Sequence, residues 1–144
     1  LIRGGADAEL RWTATAHGDD AYGLVGMAGT PMPAALAKQI FAQLVRFGDW
    51  VRFPKLKPSR PEIDGLIAWH DDGRLSGVFV NTGRGPCPVI PAEWDDGLGA
   101  CDEILRIDTG TGSRVVREPY DGTIRFDGYG VAIVTNAAAT TILD

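Results

Sequence analysis

The chain has 144 residues, 44% apolar and 23% charged, with a net charge of −5. That is the balance of an ordinary soluble protein, with length enough for one domain and a core of its own. The acidic excess argues against nucleic acid and anionic membranes as partners, since both need a basic surface, and no apolar run approaches the roughly 18 residues of a membrane span.

In chain order, the first feature is the start itself. Leu1-Ile2-Arg3 carries neither an initiator Met nor a charged and apolar leader, which predicts a piece of a longer protein. The β-branched and aromatic run Leu10-Arg11-Trp12-Thr13-Ala14-Thr15 predicts a short strand. A loop follows at His17-Gly18-Asp19-Asp20, then Tyr22-Gly23-Leu24-Val25-Gly26.

The strongest helix signal comes next. Thr30, Pro31 and Pro33 supply a start. Leu36, Ile40, Leu44 and Phe47 recur at helical spacing, with Ala37, Phe41 and Val45 widening the stripe. Gly48 stands where a helix end favours a left-handed residue. The pattern predicts a helix over 33–47 that buries a broad face against something large.

Beyond Gly48 short β-rich runs alternate with turn signals, the mark of an antiparallel β-sandwich of about seven to eight strands. The predicted strands are 50–53, 65–69, 74–81, 103–108, 114–117, 123–126 and 130–135. Asp72-Gly73 is a hairpin turn between the second and third. Pro54, Pro58 and Pro61 mark a connection outside any central strand, and 83–101 reads as a long loop. The expected division is 1–48, a terminal strand–helix unit, and 49–144, a mostly β sandwich domain.

The 83–101 stretch holds both cysteines. A Cys87–Cys101 bridge would close a loop of about 15 residues and add on the order of 3 kcal/mol. An even count flanking a loop fits a secreted, oxidising setting; two separate thiols are the alternative. Neither His17 nor His70 stands at zinc-ligand spacing from a cysteine. No Gly-Lys-Ser/Thr phosphate cradle and no dinucleotide fingerprint occurs, so no cofactor is expected.

Candidate catalytic groups are few. Asp108-Thr109-Gly110, after the apolar Ile104-Leu105-Arg106-Ile107, looks like the aspartic-protease tripeptide, but a turn eased by Gly110 and Gly112 is the expected reading. A nucleophile triad would have to draw on Ser59, Ser76 or Ser113 with His17 or His70, and none of the serines sits in a Gly-x-Ser-x-Gly elbow. His70 is expected at an exposed hairpin tip. Asp19-Asp20 and Asp95-Asp96 read as solvated turns, lacking the alternating ligands of a calcium loop.

Four tryptophans stand out. Trp69 and Trp50 are expected in the core or, for Trp50, at an interface, and Trp94 lies in the cysteine loop. Trp12, near the C-terminal end of its strand, is the candidate for stacking on a sugar, because α/β barrels place site residues there.

The order Leu10–Thr15, Tyr22–Val25, Pro33–Phe41 resembles the last βα unit of a (β/α)8-barrel retaining glycoside hydrolase, and the runs Leu75–Asn81 and Val131–Asn136 are similar to sandwich strands of the β-xylosidase/α-iduronidase and heparanase-like families. The resemblance implies a secreted parent enzyme acting on carbohydrate through two carboxyl groups about 5–5.5 Å apart. It places both catalytic glutamates in strands preceding residue 1, so no catalytic residue is expected in this chain. It implies a sandwich that buttresses the barrel, with the helix between them, and a partner in the catalytic barrel of the same or a companion chain. A stand-alone carbohydrate- or protein-binding sandwich is the alternative.

Overall fold

The computed structural model describes residues 33–45, 49–53, 56–57, 61–91, 97–112 and 114–137. The expectations for Trp12, His17, Ser59, Trp94, Ser113 and the two loop acid pairs lie outside them.

Helix α1 spans Pro33–Leu44. Pro33 suits a first helical position, with its φ preset and no N–H to leave unbonded. Among the described residues nine strands follow: β1 Trp50–Arg52, β2 Leu56–Lys57, β3 Ile63–Trp69, β4 Leu75–Asn81, β5 Cys87–Pro91, β6 Glu103–Asp108, β7 Val116–Pro119, β8 Ile124–Phe126 and β9 Gly130–Thr135. The fold is therefore mostly β, as expected. One antiparallel sheet has the order β1-β3-β4-β9-β6-β7, and a smaller one the order β2-β5-β8.

The β3–β4 hairpin forms where Asp72-Gly73 predicts it. Gly73 takes φ +85°, and the tip closes through Gly73 N–H to His70 O (2.9 Å) and His70 N–H to Arg74 O (3.0 Å). The positive φ is what glycine supplies without steric cost.

Alternation along the strands gives the large sheet two apolar faces. Ile63, Ile67, Leu75, Phe79, Ile104, Ala132 and Val134 meet Cys87, Val89, Ile124 and Phe126 of the small sheet. Leu66, Ala68, Val78, Leu105 and Ile133 point the other way and meet Ile40 and Leu44 of α1. The order is small sheet, large sheet, helix. Phe41 and Val45 pack at the margin of the helix contact. The helix stripe is thus seated on the chain's own sheet across β6 and β9, and the helix shares a core with the strands that follow it.

Two expectations are corrected. The stretch 83–101 is not one long loop: it contains β5 and a 3₁₀ turn at Leu98–Ala100. Its prolines hid the strand. Proline counts against a strand in sequence, yet Pro88 here stands opposite Arg125 of β8, and β5 lies between β2 and β8 in the small sheet. The expected Cys87–Cys101 disulfide is not formed; both cysteines are free and buried. Each fills space between the sheets as a small apolar side chain, alongside Leu98, Ile104 and Phe126.

Candidate functional site

β6 ends on Asp108, whose side chain is fully shielded from solvent. Its Oδ1 accepts the backbone N–H groups of Gly110 and Thr111, each at 3.0 Å. Its Oδ2 accepts Arg106 Nη1 at 2.5 Å and Asp127 N–H at 2.9 Å. Burial alone would push this carboxyl up. The Asp127 N–H, Arg106 and the Thr111 N–H outweigh burial and hold it below the usual Asp value.

The same corner is fastened twice more. Thr109 donates from Oγ1 to Asp127 O at 2.8 Å, and Asn81, on β4, donates from Nδ2 to Gly128 O at 2.7 Å. Gly130 is paired with Asp108 in the ladder, and a Cβ there would strike the Asp108 backbone and Ile107 O. A proteolytic aspartate needs a second carboxylate with which to share a proton. Asp108 instead faces a guanidinium, with both oxygens taken. The tripeptide is a structural clasp tying the end of β6 to the β8–β9 turn; it forms the turn expected there, with Gly112 at positive φ but not Gly110.

The other candidate groups are held apart. Ser76 is buried, and its hydroxyl lies 2.9 Å from Thr135 Oγ1. Thr135 itself donates to Leu75 O at 3.0 Å, so the Ser76 proton is directed at Thr135. His70 is half-buried at the hairpin end. Its Nε2 stands 3.7 Å from Asp49 Oδ1 and its Nδ1 3.3 Å from Asp72 Oδ1. Among the described residues the ring faces two carboxylates and no serine, so none of them forms a nucleophile triad with it. Asp72 in turn binds Arg74 Nε at 2.6 Å. Among the described residues no group of three or more His, Cys, Asp or Glu is placed to hold a metal ion.

The thiols are inert in kind. Burial, aided by the Asp102 charge, pushes the Cys101 thiol up to about 12. The folded protein is expected to give close to zero thiols with a chromogenic disulfide reagent, and two per chain once denatured without reductant. Fewer than two after denaturation would reveal a bridge.

The described residues line two surface grooves of note. One, of about 480 Å³, has a mixed lining that includes Asp102, Glu103, Arg117 and Glu118 beside Asn136 and Ala137. Arg117 is already paired there with Glu103 at 3.0 Å. The other, of about 400 Å³, is mainly apolar and lies between Pro33 and Ala37 of the helix and Val80, Ile107, Tyr129 and Val131 of the sheet.

The tryptophans divide. Trp69 packs against the inter-sheet core, as expected. Trp50, expected in the core or at an interface, is outside this chain's core, with 75% of its surface exposed. Among the described residues β1 is the short edge strand of the large sheet, paired with β3. No protein-family model matches the chain, and no curated protein matches it.

Proposed function

We propose that this chain is the C-terminal, non-catalytic portion of a secreted glycoside hydrolase, in which the β-sandwich buttresses a catalytic (β/α)8 barrel. The partner is the barrel portion of the same or a companion chain, and the parent's substrate is carbohydrate. The reading rests on the family resemblance of the ordered runs, with the seating of α1 as the joint it would use. The helix that precedes the sandwich, and would close a barrel, shares a core with the large sheet through Ile40 and Leu44. A helix belonging to both bodies makes a stiff joint, because sliding it would open that core. The arrangement of Asp108, Ser76 and His70 in structural contacts fits a supporting role. Secretion rests on the family resemblance, since the thiols are unbridged.

The seating also favours a second reading. A stripe already covered by the chain's own sheet does not call for an outside neighbour, as a stand-alone carbohydrate- or protein-binding sandwich requires. The two readings part at the gene and at the natural protein. The first expects, upstream of Leu1, two glutamates each ending a barrel-type strand. It also expects the protein from its source to be longer than this chain or accompanied by a companion fragment. A single natural species near 15.4 kDa with no companion would sink it.

A further inference from the structure

We draw no further inference here: the strongest candidate, the mainly apolar groove between the start of α1 and the sheet residues Val80, Ile107, Tyr129 and Val131, carries none, because nothing in the structure shows what covers it.

Discussion

Asp108→Ala is expected to lower stability by about 3 kcal/mol, the lower end of the range for breaking a buried ion pair from one side. The loss comes from Arg106, left with the longer contacts to Asp127 (3.2 Å) and Glu118 (3.9 Å), and from three backbone N–H groups that lose their acceptor. Asp108→Asn is expected to be destabilising as well. Its amide keeps one carbonyl oxygen but turns an NH₂ toward Asp127 N–H or Arg106, donor against donor. Chemical denaturation followed by circular dichroism measures both. An Asn variant as stable as the parent would refute the clasp.

The pH dependence has a fixed sign. The Asp108 carboxyl is held below its ordinary value in the folded chain. Its contribution is therefore fully present above the ordinary Asp range and is lost as pH falls through the depressed value. Acid unfolding should be shallower in Asp108→Ala than in the parent, because that variant has already lost the group that titrates. Equal acid sensitivity would locate the effect elsewhere.

The second large effect is at Phe79, with no exposed surface, in the centre of the large sheet. Phe79→Ala should cost about 3–5 kcal/mol, the range for deleting a buried ring. The ring lies over two glycines. A Cβ on its cross-strand partner Gly65 would approach Phe79 Cδ1 to 2.8 Å, and one on Gly77 would approach Cε2 to 3.0 Å. Gly65→Ala should therefore cost about 1–3 kcal/mol by overpacking. In a Phe79→Leu background the added methyl meets less, and the combined loss should be smaller than the sum of the two. A double-mutant cycle reads this directly. Strict additivity would show that the ring is not what requires glycine at position 65.

How much of this was legible beforehand follows from range. Glu103–Asp108 and Gly130–Thr135 were readable to the residue, and the Asp72-Gly73 hairpin and the helix start at Pro33 as well, because each depends on local pattern and turn chemistry. β5 was not legible, because Pro86, Pro88 and Pro91 count against a strand, and its partners β2 and β8 lie elsewhere in the chain. The bridge was misjudged for a like reason. Spacing allows Cys87 and Cys101 to meet, but their fate is set by an inter-sheet core drawn from six strands.

The amino-acid order by itself determined that the chain is mostly β with one amphipathic helix ahead of the strands, since periodicity and turns are properties of neighbours in sequence. Only the tertiary structure decided what that helix lies on, that Asp108 is held by Arg106 and the Asp127 backbone, and that Trp50 faces water. Those outcomes depend on contacts between residues far apart in the chain, such as those of α1 with β9 and of Asn81 with Gly128. A side chain's chemistry is fixed by its type, but its burial and its partners are fixed by whatever the rest of the fold brings beside it.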